Sequence, residues 1–213
     1  MLTVWGRKTS SNVQALMWCV AELDLDYQRI DIGHRYGGNN TPPLLAMNPN
    51  GTVPVLQDEE NTPMWETGAI LRYLAARYAP DSFWPADVTA RAGVDQWAEW
   101  AKLNVALNFT APLFWPLVRT PAAERDATAI AHSLARLHHF LTIADRQLEK
   151  APFLAGTDFS LADIQFGHVL YRYFDLPLAH AVLPAVAAYY ARLCQRPAFR
   201  QHVMISYEEL RAE

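Results

Sequence analysis

Residues 48–67 read NPNGTVPVLQDEENTPMWET, and this stretch decides the fold. It opens with turn-forming residues at 48–51 and continues into two short runs, 53–56 and 63–65. A second turn separates the runs, so they are predicted to pair as antiparallel strands. Apolar residues between Thr67 and Tyr78 then have helical spacing. The stretch therefore predicts a strand pair that leads directly into a helix.

The residues that precede this stretch predict a strand, a helix and a second strand. Leu2–Trp5 is a short apolar run, a helical pattern starts at Asn12, which can cap its first turn, and Tyr27–Ile32 alternates like a strand. A unit of this length implies parallel strands with a right-handed crossover. With a short helix over 42–47, residues 1–80 are predicted to form an α/β domain whose element order matches a thioredoxin-like fold.

Beyond residue 80 the patterns are helical. Residues 81–87 are predicted to form a linker, and residues 88–213 an all-α helical-bundle domain. Its predicted helices cover 88–111, 122–149, 160–174 and 184–195.

Composition excludes several classes of function. The net charge is −4 with acidic and basic residues interspersed, which argues against a nucleic-acid partner. There is no long uncharged apolar run and no signal-peptide pattern, so we expect a cytoplasmic protein with no membrane partner. Cys19 and Cys194 stand apart, and His138-His139 lacks the spacing of a helical zinc site, so no metal is expected.

Four motifs occur in order: Thr9-Ser10-Ser11-Asn12, Asn48 to Pro54, Trp65 to Ile70, and Phe159 to Asp163. In this order and spacing the chain resembles the cytosolic glutathione transferases, and its N-terminus is similar to the bacterial theta- and beta-like members. The resemblance implies a detoxifying transferase that uses glutathione as co-substrate and acts on a small electrophile, and it implies a homodimer. Phe159 to Asp163 is interpreted as a structural capping box.

The resemblance also implies how glutathione is held. Val53 would precede a cis-proline, Pro54, and pair with the backbone of the glutathione cysteine. The alternative is a proline that ends an edge strand. Glu66 and Thr67 would bind the γ-glutamyl amine and carboxylate at a helix N-terminus. The alternative for Glu66 is a favourable position near the helix dipole.

The glycine end of glutathione matches the family less well. Many relatives have Lys or His in the stretch that corresponds to Gly51-Thr52, and this chain has neither. Arg35, with Asn39, is the predicted substitute. This gap sustains an alternative function, a catalytically weak binding protein with the same fold.

Catalysis requires a donor that stabilises the thiolate of glutathione. Similarity to theta-like enzymes places Ser10 and Asn12 at the sulfur, and a register error of one residue would bring in Thr9 or Ser11. The alternative is a turn and helix cap without catalytic function. No cysteine or tyrosine lies in this turn, which argues against disulfide chemistry and against the tyrosine-using classes. A peroxidase, dehalogenase or isomerase on the same fold remains a further alternative.

The electrophile is expected between the two domains. Candidate residues are Phe109, Phe114, Trp115, Arg119 and Tyr171, although an aromatic residue on a helix is more often part of the core. Arg119 would favour electrophiles that carry a carboxylate, such as haloacids.

Overall fold

The computed structural model describes residues 1–212, and residue 213, where the predicted second domain ends, lies outside them. The strands are β1 (Leu2–Trp5), β2 (Tyr27–Ile30), β3 (Val55–Asp58) and β4 (Met64–Trp65). They form one sheet in the order β2-β1-β3-β4. β1 pairs with β2 in parallel, whereas β1 with β3 and β3 with β4 are antiparallel. The predicted pairing is therefore confirmed.

The helices are α1 (Ser11–Glu22), α2 (Pro42–Met47), α3 (Thr67–Tyr78), α4 (Val88–Trp100), α5 (Leu107–Phe109), α6 (Trp115–Arg119), α7 (Ala127–Leu148), α8 (Leu161–Gly167), α9 (Leu170–Asp175), α10 (Pro184–Gln195) and α11 (Pro197–His202). Both α2 and α3 begin and end where the sequence predicts. β3 begins at Val55 rather than at Val53, because Pro54 has no N–H to donate to the sheet. The prediction of an α/β domain followed by an all-α domain is confirmed.

The helix predicted over 88–111 continues further than expected. Two π-helical turns, Ala101–Ala106 and Thr110–Phe114, connect α4, α5 and α6 into one helical run that ends at Arg119. Pro112 lies in the second of these turns. A proline removes one helical hydrogen bond and its ring collides with the preceding turn, and a π-turn is one way in which a helix accommodates such a break.

One continuous hydrophobic core joins the sheet domain to the helical domain. Trp18 of α1 is fully buried, and its ring centroid lies 4.8 Å from that of Phe199. A Cβ added to Gly167 of α8 would lie 2.9 Å from the Trp18 ring and 2.6 Å from Leu193. Only glycine permits this approach, which fixes α1, and the turn before it, against the helical domain.

Candidate active site

A cavity of about 310 Å³ lies between the sheet domain and the helical domain. Its N-terminal wall consists of Arg7, residues 9–12, Asn39 and residues 51–53. Its helical wall consists of Thr110, Trp115, Arg119 and Arg172. The cavity therefore brings together residues that are far apart along the chain.

Ser10, in the turn before α1, has a hydroxyl group that is not used for capping. Ser10 occupies the N-cap position, but within the described residues its side chain makes no capping hydrogen bond. The Thr9 hydroxyl donates a short hydrogen bond to the Glu209 carboxylate. The first N–H groups of an α-helix have no partner within the helix and favour a nearby anion. Ser10 and the start of α1 can therefore both donate to an anion in the cavity.

Asn12 is oriented by a lysine from the helical domain. Lys102 Nζ donates to Asn12 Oδ1 at 2.8 Å. An ammonium group has no acceptor, so the oxygen of the Asn12 amide is the atom that it binds, and the amide NH₂ must point elsewhere. Burial lowers the pKa of Lys102, against the opposing charges of Glu66 and Glu99. Asn12 therefore does not cap its helix as predicted, because its carbonyl oxygen is bound to Lys102.

The loop before β3 is held in place by two asparagines. The Val53-Pro54 peptide bond is cis, as the family resemblance implies. Asn48 Nδ2 donates to Thr52 O at 2.9 Å, and Asn39 Nδ2 donates to Gly51 O at 2.8 Å. Val53 follows this loop and lies on the same cavity wall as Ser10.

Glu66 and Thr67 stand at the N-terminus of α3. Glu66 has φ of 69°, in the left-handed region that is uncommon for residues other than glycine. Such a conformation is strained and persists where the surrounding structure enforces it, often at ligand sites. Thr67 is buried and begins the helix. Neither residue lies on the wall of the cavity described above, so their function stays a prediction.

Three arginines converge on the cavity. The guanidinium carbon of Arg119 lies 5.0 Å from the centroid of the Trp115 ring. Arg172 is 2% exposed, and its Nη2 donates to Thr9 O at 2.7 Å. Burial lowers the pKa of Arg7 and Arg119, and burial together with the charges of Arg7 and Arg119 lowers that of Arg172 to about 9. The site is therefore strongly electropositive.

Comparison with known proteins identifies the family. The model for the N-terminal domain of glutathione S-transferases matches residues 1–76, and that for the C-terminal domain matches residues 107–197. Glutathione S-transferase GstB of Escherichia coli K12 is 37% identical over 206 residues, which cover 96% of this chain and 99% of that protein. The chain belongs to the glutathione S-transferase family. The prediction of a glutathione transferase, an enzyme, is thereby confirmed.

Solved structures of other transferases have the same fold. A theta class glutathione S-transferase from Xanthomonas axonopodis pv. citri, with glutathione bound, has a TM-score of 0.91 and 43% identity, over 96% of this chain and 98% of that one. Glutathione transferase F7 from Populus trichocarpa has a TM-score of 0.86 and 26% identity, over 97% and 100% of the two chains. The expected theta-like resemblance is thus reproduced.

Some predicted residues of the transferase do not line the cavity. Phe109 and Phe114 are buried in the core, with exposed fractions of 1% and 0%. Phe114 nevertheless supports the site, because its ring centroid lies 4.5 Å from the guanidinium carbon of Arg172. Tyr171 and Arg35 are both outside the lining, and Arg35 Nη2 lies 2.6 Å from Glu209 Oε2.

Four residues at or beside the cavity were not predicted from the sequence: Arg7, Lys102, Arg172 and Glu209. A signal existed for Arg172, since it is a cation in the otherwise apolar and aromatic run 169–174. Charged residues are almost never fully buried unless they are paired or functional. Nothing in the local sequence connects Lys102 to Asn12 or Glu209 to Thr9, because those contacts join distant parts of the chain.

Two other features are absent from residues 1–212. No group of three or more His, Cys, Asp or Glu side chains in this part of the chain is placed to hold a metal ion. Within the same residues, no helix has the length and apolar content that crossing a bilayer requires.

Proposed function

We propose that this transferase binds glutathione along Val53 and converts its thiol to a thiolate at the turn before α1, for attack on a small electrophile. Ser10 and the amide NH₂ of Asn12 donate to the sulfur. The observation that carries the proposal is that Ser10 is an N-cap residue whose hydroxyl is not used for capping, on the same cavity wall as the cis Val53-Pro54 bond.

The remaining contacts of glutathione are also proposals. At the γ-glutamyl end, Glu66 accepts from the amine and Thr67 donates to the carboxylate, which the first N–H groups of α3 also favour. Asn39 lies on the cavity wall near Gly51 and Thr52 and is better placed than Arg35 for the glycine end, because Arg35 is paired with Glu209. The Xanthomonas transferase, which has glutathione bound and a TM-score of 0.91 to this chain, supports glutathione as the ligand.

Activation of the thiol accounts for a small part of the rate. A thiol with a pKa near 8.5 is about 3% ionised at pH 7, and a pKa lower by about two units raises ionisation about 25-fold. Nucleophilicity falls with pKa, which gives back about six- to tenfold of that gain. Positioning of the electrophile on the helical wall must therefore supply most of the acceleration.

The test is to measure the pKa of the thiol in bound glutathione, using the ultraviolet absorbance of the thiolate as the readout. We expect Ser10→Ala to raise this pKa by about one to two units, because one charge-assisted hydrogen bond is lost. Thr9→Val is the matched control and should leave the pKa in place, since the Thr9 hydroxyl already donates to Glu209. If both variants behave like the wild type, the Ser10 hydroxyl does not donate to the sulfur and the proposal is wrong.

A cytoplasmic homodimer is proposed as well. Leu103 and Leu107 are four residues apart on the helical run and are 56% and 51% exposed. Trp65 of the sheet domain is 38% exposed. Apolar side chains in such positions are suited to a subunit interface, and light scattering in solution would show a mass of one chain or of two.

A further inference from the structure

Within residues 1–212, the carboxylates near the cavity do not balance its positive charge. Arg7, Arg119 and Arg172 all line it, and the Nε atom of each is buried without a hydrogen-bond partner in the described residues. Among the described residues, the carboxylate of Glu209 acts on Arg7, but it already pairs with Arg35 and accepts from Thr9. Unpaired cations in a partly buried site are unfavourable unless an anion completes them.

We propose that Arg7, Arg119 and Arg172 form a binding site for a carboxylate on the electrophile, so that the substrates are small anionic electrophiles such as 2-haloacids. This proposal rests on the proposed thiolate at Ser10 and Asn12. It extends the expectation for Arg119 to a built site with three cations, two of which the sequence did not indicate.

Packing holds the three guanidinium groups in place before any ligand arrives. Arg119 stacks on Trp115, and Arg172 is enclosed by the rings of Phe114 and Tyr207. A Cβ added to Gly33 would lie 3.0 Å from Arg7 Nη1, so a glycine leaves the room that this side chain needs. Arginine donors fixed in this way suit the planar geometry of a carboxylate.

The reaction with a 2-haloacid needs no other reactant. The thiolate sulfur attacks the carbon that bears the halogen, a carbon–sulfur bond forms, and the carbon–halogen bond breaks as halide leaves with the electron pair. The substrate carboxylate takes no part in these bonds. Holding it on the arginines overcomes the repulsion between two anions and places the carbon beside the sulfur.

The glycine carboxylate of glutathione is the other anion that the three arginines could bind. The cis Val53-Pro54 loop, with Gly51 and Asn39, belongs to the N-terminal wall, along which the peptide is proposed to lie. Arg119 and Arg172 face it from the helical wall, which favours the electrophile. Arg7 stands on the N-terminal wall, so Arg119 is the residue that separates the two sources.

The decisive measurement is calorimetric and needs no turnover. We expect S-carboxymethylglutathione to bind the wild type about 10- to 100-fold more tightly than its neutral isostere S-carbamoylmethylglutathione, as for a charge-assisted contact. Arg119→Gln should abolish this preference, and Arg119→Lys should retain part of it. Both variants should bind glutathione itself with a Kd within about twofold of that of the wild type. Arg91→Gln is the matched control, because Arg91 also stacks on a tryptophan, Trp84 at 4.2 Å, and lies outside the cavity lining.

Kinetics with bromoacetate and bromoacetamide give the second readout, each rate being divided by the uncatalysed rate. Arg119→Gln should lower kcat/KM about 10-fold or more for bromoacetate and leave bromoacetamide within about twofold. Two results would overturn the proposal. One is that Arg119→Gln weakens the binding of glutathione itself and affects both electrophiles equally, which would assign the arginines to the glycine carboxylate. The other is that the wild type binds the two conjugates equally well. Failure of the proposed thiolate appears separately, in the pKa of bound glutathione.

Discussion

The N-terminal wall and the helical wall of the cavity differ in how their residues are distributed along the chain. The N-terminal wall comes from three short stretches of the first 53 residues, and its turn contributes residues 9–12 consecutively. The helical wall takes Thr110, Trp115, Arg119 and Arg172 from more than 60 residues of sequence. The thiol chemistry therefore lies in compact motifs, whereas the selection of the electrophile depends on long-range packing.

Loss of the buried hydrogen bonds of Asp163, in the helical domain, should have the largest effect. Asp163 is fully buried and accepts from Leu154 N at 2.9 Å, from Ser160 N at 2.8 Å and from the Tyr189 hydroxyl at 2.9 Å. Asp163→Ala leaves these donors unsatisfied, so we expect the free energy of unfolding to fall by about 3–5 kcal/mol in a denaturant titration. Asp126→Ala is the control.

Asp126 also caps a helix, since its side chain accepts from Ala129 N at 2.9 Å, but it does so at the surface. Its replacement should lower the free energy of unfolding by about 1 kcal/mol. Equal losses in the two variants would mean that the buried capping box stabilises the fold no more than a surface cap does.

The buried imidazole of His168 should make the stability of the protein depend on pH. His168 is 1% exposed and its Nδ1 lies 3.1 Å from Ile164 O. Burial, and then the charge of Lys102, lower its pKa to about 3. The unfolded chain takes up this proton below about pH 6.5 and the folded chain does not, so the stability present above that pH is lost as the pH falls.

His168→Gln removes the titrating group, which isolates its contribution from those of other residues. Relative to this variant, the wild type should lose about 2 kcal/mol of unfolding free energy between about pH 7.5 and pH 5. A difference that stays constant over this range would show that the folded and unfolded chains protonate His168 alike.

The same contrast explains how far the sequence could predict the molecule. Helix α3 was predicted to the residue, because its apolar spacing and its start at Thr67 are local features. The run to Arg119 was cut short at 111, because Pro112 normally ends a helix and the π-turns that accommodate it leave no simple pattern. Family motifs indicated Ser10 and the cis-proline. The contact of Arg172 with Thr9 O spans 163 positions, so no local pattern could indicate it.

Lys102 joins the two walls, and its replacement should have the smallest effect of the three. It comes from the helical run, and its hydrogen bond to Asn12 Oδ1 spans 90 positions. Lys102→Met keeps the apolar length of the side chain but releases the Asn12 amide, which can then rotate away from the sulfur. We expect the pKa of the bound thiol to rise by about 0.5–1 unit, and kcat/KM for a neutral aryl halide to fall about five- to tenfold.

A merely structural role for Lys102 would change other quantities. Loss of packing would lower the unfolding free energy and weaken glutathione binding, whereas loss of orientation should leave the Kd for glutathione within about twofold and raise the thiol pKa. Asn12→Ala combined with Lys102→Met provides the sharper test, because the lysine should have no further effect on the thiol pKa once the amide is gone. Additive shifts in the double variant would show that Lys102 acts on the sulfur through its own charge, and the helical wall would then share in thiol activation.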